Sequence, residues 1–196
     1  MRVGPRMETD VTDVFAAGDC VETRHRLLRD PTYIPLGTTA HKQGRVAGEN
    51  AVGGNAVFQG SLGTQVVKVF DLVIGRTGLR DGEAVQAGLA PLTRETVVWD
   101  HKNYYPGASE LRIRTTGDAR TGRLLGAQLL GRYGAEVSKR LDIFAMALFH
   151  EARVDTLEHV DLSYTPPLAS PWDAVQMATM EWALQASKAQ ESGGPP

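Results

Sequence analysis

Leu111-Arg112-Ile113-Arg114-Thr115-Thr116-Gly117-Asp118-Ala119-Arg120-Thr121-Gly122-Arg123-Leu124-Leu125-Gly126-Ala127-Gln128-Leu129-Leu130 is the stretch that decides the fold of most of this chain. Leu111 to Thr115 and Arg123 to Leu130 read as two strands, and the glycines and aspartate of Gly117 to Gly122 supply a turn between them. Such a hairpin makes antiparallel sheet, and its flanks extend it. Upstream, Gln65 to Gly75 is dense in β-branched residues and reads as strand, as does Thr93 to Trp99. Asp81 to Ala87 reads as a short helix ending at Gly88. Downstream, Gly134 to Glu151 predicts an amphipathic helix with Val137, Leu141, Phe144 and Leu148 on one stripe. The sum is an α+β class, an antiparallel sheet flanked by helices.

Toward the N-terminus the texture is different. Thr12-Asp13-Val14-Phe15-Ala16-Ala17-Gly18-Asp19-Cys20 holds a short apolar run of the kind a buried strand uses, stopped at Gly18-Asp19. Glycine there lets backbone approach a ligand, and an aspartate at the carboxyl end of a strand can accept a hydrogen bond from a sugar or ribityl hydroxyl. A strand-Gly-Asp turn with no ligand is the other reading. Glu22 to Tyr33 reads as a polar loop; its basic cluster Arg24 to Arg29 is a solvated face or, alternatively, a nucleotide contact. Thr38 to Ala51 predicts a helix with Thr38 or Thr39 as N-cap and Gly53-Gly54 as its stop. A glycine-rich connection then places a domain boundary near Val57 to Gly60. The expected organisation is 1–58, the end of an α/β domain, then 59–184, the sheet domain, and 185–196, a flexible tail.

Composition excludes several classes. At 196 residues, with 42% hydrophobic and 22% charged residues, the chain can build a core. A formal net charge of -2 gives no reason to expect nucleic acid or an anionic membrane as partner. No apolar run approaches the roughly 20 residues that span a bilayer, and no secretory signal follows Arg2 and Arg6. A soluble, cytoplasmic protein is the expectation. The one cysteine, Cys20, rules out an internal disulfide and reads as a small buried residue. His25, His101 and His150 show no ligand spacing, so no metal site is expected.

Thr12 to Asp19 resembles the second FAD-contacting motif of the pyridine nucleotide-disulfide oxidoreductases, and the element order after it is similar to that family's C-terminal dimerisation domain. The resemblance implies that Gly18 and Asp19 contact the ribityl-pyrophosphate part of FAD. Ile34-Pro35-Leu36 then precedes the family's flavin helix, whose N-terminus, through Leu36, Gly37 and Thr38, faces the pyrimidine end of the isoalloxazine ring. A helix packed on a sheet without ligand is the alternative. His41 stands where asparagine is usual.

Two further motifs resemble the coenzyme A-disulfide reductase, NADH oxidase and persulfide reductase branch. They are Tyr104-Tyr105-Pro106-Gly107-Ala108 and Asp161-Leu162-Ser163-Tyr164-Thr165-Pro166-Pro167-Leu168-Ala169-Ser170, the latter expected to be a buried, extended loop. The resemblance implies that Tyr164 and one of Tyr104 or Tyr105 reach into the partner's active site of a homodimer, with phenols able to hydrogen-bond a thiolate. An interface clamp with no catalytic role is the competing reading. Thr165 stands where the family usually has alanine and Leu168 where it has an aromatic; the Leu168 change removes a flat surface near the flavin or pantetheine and weighs against coenzyme A itself as substrate. His159 is in no His-Pro dipeptide and reads as a loop histidine.

Among the 21 glycines no two are separated by a single residue, so neither of the two G-x-G-x-x-G fingerprints the family needs, for FAD and for NAD(P)H, is in this chain. The expectation is therefore the C-terminal part of an FAD- and NAD(P)H-dependent disulfide, persulfide or coenzyme A-disulfide reductase, inactive by itself. The alternative is a stand-alone dimerisation module without cofactor.

Overall fold

The computed structural model describes residues 1–28 and 30–191. Its chain divides into two compact units, Met1–Gly63 and Thr64–Pro196.

In the first unit, β1 (Thr23–Arg24) pairs antiparallel with β2 (Pro31–Thr32), and α1 runs over Gly37–Ala51. The segment expected to be an irregular polar loop therefore holds a small ladder, with Thr23 and His25 buried; Arg29 of its basic cluster lies outside the described residues. Its apolar centre is Met7, Val46 and Phe58, with Val3, Ala47 and Ala56 against them. Val14–Ala17 is not the buried strand its composition predicts. Asp13 takes a left-handed φ of 62°, and the chain doubles back so that Thr9 N–H donates to Val14 O (2.9 Å) and Ala16 N–H to Met7 O (3.0 Å). Val14 is exposed on this narrow turn. Cys20 is exposed as well, contrary to expectation, its thiol 3.3 Å from Ala17 O.

The second unit is a five-stranded antiparallel sheet in the order β3-β4-β7-β6-β5, formed by β3 (Gln65–Val69), β4 (Leu72–Gly78), β5 (Pro91–Trp99), β6 (Glu110–Asp118) and β7 (Leu124–Arg132). The predicted hairpin is its centre, with Ile113 opposite Leu129 and Arg114 opposite Gln128. The single strand expected over Gln65 to Gly75 is instead the β3–β4 hairpin, because Phe70, at φ 52°, turns the chain. Between β4 and β5 lies α2 (Asp81–Gln86), whose start is closed by Arg80 N–H donating to Glu83 Oε2 at 2.8 Å.

One face of the sheet is covered. α3 (Val137–Phe149) packs over β4 and β7, and α4 (Ala174–Glu191) packs over β5 and β6. Leu111, Ile113, Ala127 and Leu129 point into this layer and meet the predicted stripe of Val137, Leu141, Phe144 and Leu148, all buried. At the Thr116/Gly117 bulge a side chain on Gly117 would strike the Trp182 ring and Val154, so glycine is what allows α4 to lie so close. Trp182 Nε1 then donates to Leu92 O at 2.7 Å. The other face leaves Val67, Ile74, Val97 and Trp99 exposed. α4 continues through Gln185–Glu191, where a flexible tail is expected, since alanine, lysine, glutamine and glutamate are strong helix formers. The rest of that tail, residues 192–196, lies outside the described residues.

The β6–β7 turn is fastened by one buried carboxylate. Burial alone would raise the Asp118 carboxyl, but N–H groups of Ala90, Thr121 and Arg120 outweigh it and hold it below the ordinary carboxylate range. A depressed folded-state pKa stabilises the fold above the unfolded value of about 3.9 and is lost as pH falls through the folded one. Asp118→Asn turns an amide N–H₂ or loses an oxygen toward these donors. It should cost about 1–3 kcal/mol at pH 7 in urea unfolding and flatten the stability loss below about pH 4. An unchanged acid profile would show that this carboxylate does not carry the turn.

Candidate functional site

The first group of candidate residues sits around the start of α1. Leu36 is the N-cap residue, extended at φ -124° and ψ 134°, and no side chain caps the helix. Thr39, one of the two threonines expected to cap, is turned away: its hydroxyl is 2.9 Å from Ser61 Oγ. The first-turn N–H groups of Gly37 and Thr38 therefore lack a capping side chain, which leaves a concentration of positive partial charge. Gly18 lies beside this turn at φ +86°, where a Cβ would touch Ala40 Cβ at 3.7 Å. Its N–H donates to Gln43 Oε1 (2.9 Å), and Gln43 Nε2 donates to Thr23 Oγ1 (3.1 Å). Asp19 follows, exposed. Gly18, Asp19 and the helix start are thus one local arrangement, and Gln43, fully buried, is the residue that sequence reasoning missed. An exposed carboxylate beside an uncapped helix start suits a ligand with both hydroxyl donors and an electron-rich acceptor edge.

The second group is carried by two loops at one end of the sheet. In loop 100–109, Asp100 N–H donates to Ser109 O (3.0 Å) while Asp100 Oδ1 accepts from Ser109 N–H (2.8 Å), closing the loop at its base. The other carboxylate oxygen, Oδ2, lies 3.1 Å from His101 Nδ1. Tyr105 N–H donates back to Lys102 O at 2.9 Å, and Gly107 takes φ +86°. Tyr104 and Tyr105 ride on the tip with ring centroids 5.2 Å apart. Tyr104 is 70% exposed and Tyr105 37%.

Tyr164 is on loop 161–173 and is 45% exposed. The prolines after it do not hold the buried, extended loop that is expected. Thr165 O accepts from Leu168 N–H (2.9 Å) and Ala169 N–H (3.0 Å), so Pro166 and Pro167 occupy one tight turn. Fixed φ angles near -65° and missing N–H groups suit such positions. Pro166 O in turn accepts from Lys102 N–H at 3.3 Å, so the two tyrosine-bearing loops meet. Leu168 is exposed. His159 ends a 3-10 helix, Val154–His159, rather than a loop, and lies 3.4 Å from Glu158.

The end of loop 161–173 is pinned reciprocally to α4. Val175 N–H donates to Asp173 Oδ1 (2.9 Å), and Asp173 N–H donates to Gln176 Oε1 (3.0 Å). Gln176 Nε2 reaches Glu158 O (2.9 Å) and Val160 O (3.0 Å), just before the loop begins. No sequence motif flagged Asp100, Asp173 or Gln176. Among the described residues no group of three or more His, Cys, Asp or Glu side chains could hold a metal, and no helix is long and apolar enough to cross a membrane.

A family model for the pyridine nucleotide-disulphide oxidoreductase dimerisation domain matches residues 64–175, and the chain belongs to that family. Among curated relatives it is 39% identical over 168 residues to an NAD(P)H sulfur oxidoreductase (CoA-dependent) of Pyrococcus furiosus, covering 86% of this chain and 37% of the relative. It is 32% identical over 176 residues to a coenzyme A disulfide reductase of Staphylococcus aureus, covering 89% of this chain and 39% of that relative. Among solved structures, an NAD-dependent persulfide reductase from A. fulgidus superposes with a TM-score of 0.89 at 34% identity, covering 98% of this chain and 35% of that one. A water-forming NADH oxidase from Lactobacillus brevis gives a TM-score of 0.89 at 26% identity, covering 98% and 42%. The chain spans 37% of the length of the first of these curated relatives.

Gln43→Ala should release the Gly18-Asp19 turn from α1 and strand the buried Thr23 hydroxyl. A loss of about 1–3 kcal/mol is expected, with faster amide exchange at Gly18 and Asp19. Unchanged exchange there would remove Gln43 from the support of this turn.

Proposed function

We propose that this chain works as the C-terminal part of an FAD-dependent NAD(P)H:disulfide or persulfide oxidoreductase of the coenzyme A-disulfide reductase kind. In that reading it supplies the last FAD contacts, a homodimer interface and active-site tyrosines. The observation that carries the reading is the junction of the two tyrosine loops, where Lys102 N–H meets Pro166 O and brings Tyr104, Tyr105 and Tyr164 onto neighbouring segments. The names of the relatives, which include sulfur, persulfide and coenzyme A disulfide reductases, support the substrate class.

The residues present fit FAD in two respects. Asp19 is exposed and can accept from a ribityl hydroxyl, and the uncapped start of α1 offers N–H groups and positive partial charge to an electron-rich ring edge. FAD, when bound, supplies the step between two-electron hydride from NAD(P)H and a sulfur acceptor. The chain's own part is different. Gly18 permits close backbone approach, Leu36, Gly37 and Thr38 present the helix start, and the phenol O–H of Tyr164, with Tyr105 or Tyr104, donates to a thiolate and steadies its charge. The exposed apolar face with Val67, Ile74, Val97 and Trp99 supports assembly with further protein surface, in this reading that of a flavoenzyme dimer. A stand-alone dimerisation module without cofactor is the competing reading.

In the complete flavoenzyme, Tyr164→Phe should slow disulfide or persulfide turnover on the order of tenfold to a hundredfold while leaving FAD content and flavin reduction by NAD(P)H unchanged. Light scattering should give a dimer across micromolar concentrations. A fully active Tyr164→Phe enzyme would take Tyr164 out of the site. A module that dimerises but neither retains FAD nor restores reductase activity with the flavin-binding half would favour the competing reading.

A further inference from the structure

Loops 100–109 and 161–173 have no regular structure of their own, yet both converge on one side chain. Arg140, near the start of α3, is fully buried at 0% exposure. Its Nη2 donates to Asp100 O (2.6 Å) and to Asp173 Oδ2 (3.1 Å), its Nε to Asp173 Oδ1 (3.3 Å), and its Nη1 to Ala135 O (2.7 Å). Asp100 is the residue that closes the base of the Tyr104-Tyr105 loop, and Asp173 is the residue that ends the Tyr164 loop and caps α4. One planar guanidinium therefore grips both loops at their anchor points, and Ala135 O fixes it to the turn before α3.

A buried ion pair is poor evidence of stabilisation, because apolar packing of the same volume does as well or better. A five-donor fork does what apolar packing does not: it fixes the direction and distance of three separate backbone and carboxylate groups at once. We infer that Arg140, with Asp173 as its counter-ion, is a positioning residue that sets the placement of Tyr104 and Tyr105 relative to Tyr164. This rests on the reading above that these tyrosines face a sulfur substrate. The bond between Lys102 and Pro166 is a secondary tie, since at 3.3 Å between exposed loops it is weaker than the guanidinium contacts.

The test separates placement from chemistry. The chain is labelled with 3-fluorotyrosine, and the five tyrosine signals are assigned by Tyr→Phe variants. Arg140→Lys keeps the charge beside Asp173 but cannot reach Asp100 O, Ala135 O and both carboxylate oxygens together. The signals of Tyr104, Tyr105 and Tyr164 should then shift and broaden as a group, with Tyr33, in the first unit, unmoved. In the complete flavoenzyme, Arg140→Lys should lower kcat for disulfide or persulfide on the order of tenfold to a hundredfold, with flavin reduction by NAD(P)H unchanged. Arg140→Met serves as the uncharged comparison, and if it fails to fold the Lys variant decides alone. Loop tyrosine signals that stay in place in a folded Arg140→Lys protein would overturn the inference. Signals that move while turnover holds, with Tyr164→Phe also fully active, would uphold the clamp and sink the catalytic reading of the tyrosines instead.

Discussion

Pairing of β6 with β7 is the constraint from which the rest of the second unit takes its position. β5 adds to the free edge of β6, β4 to the free edge of β7, and β3 to β4, so every strand's register traces back to the central pair. The same pair fixes which side is covered. Leu111 and Ile113 on β6 and Ala127 and Leu129 on β7 share one face, and a slip of β6 by one residue would turn Leu111 and Ile113 to the opposite face. Burial of side chains of this kind contributes roughly 1.5–3 kcal/mol each for the larger ones, so the alternative registers lose by a wide margin. α3 and α4 then cover that face and close over Leu111, Ile113, Ala127 and Leu129.

Hydrophobic burial ends where the loops begin, and a different kind of interaction takes over. Loops 100–109 and 161–173 are exposed at their tips and bury only one apolar side chain in the core, Ala169. Their anchors are polar: Asp100 at the foot of one, Asp173 and Gln176 at the foot of the other, with Arg140 between. Breaking such a buried pair by deleting one partner costs about 3–5 kcal/mol, which is comparable to losing a large core side chain. That cost reflects the charge left stranded rather than a net gain from the pair, and what the arrangement adds is direction, which is what a set of hydrogen-bonding phenols would need.

Legibility in the sequence followed the range of the interaction responsible. The central hairpin, α2 and the α3 stripe were readable because turn chemistry and helical periodicity are local signals. The β3–β4 hairpin was not, since Phe70 turns the chain at a residue type that normally avoids a left-handed φ, with no glycine or proline to mark it. Val14–Ala17 carried a buried-strand composition, but Asp13 and the pairing back to residues 7–9 placed Val14 in solvent. α4 follows a stretch whose paired prolines forbid regular structure, and its far end, Gln185–Glu191, carries the polar composition of a tail. Its cap is the pair Asp173 and Gln176, at the spacing and with the residue types of a capping pair, a local signal that the sequence does carry. The motif residues Gly18, Asp19, Tyr104, Tyr105 and Tyr164 could be singled out from short patterns. Gln43 and Arg140 could not, because what gives them meaning lies 25 and 40 residues away in sequence.

In the proposed reading, the separation of frame from tip has a consequence for substrate choice. Asp100, Arg140 and Asp173 are buried and fully engaged, so exchanging any of them disturbs the fold. Tyr104, Thr165 and Leu168 stand on the exposed parts of the same loops and touch little of the frame. Substitutions there leave the positions of the backbone intact while altering the surface offered to a ligand. Thr165 and Leu168 both belong to the turn whose backbone bonds from Leu168 and Ala169 to Thr165 O need no particular side chain. In the proposed reading, relatives named for sulfur, persulfide, coenzyme A disulfide and NADH oxidation would share a polar frame of this kind on a fixed sheet and differ at its tips.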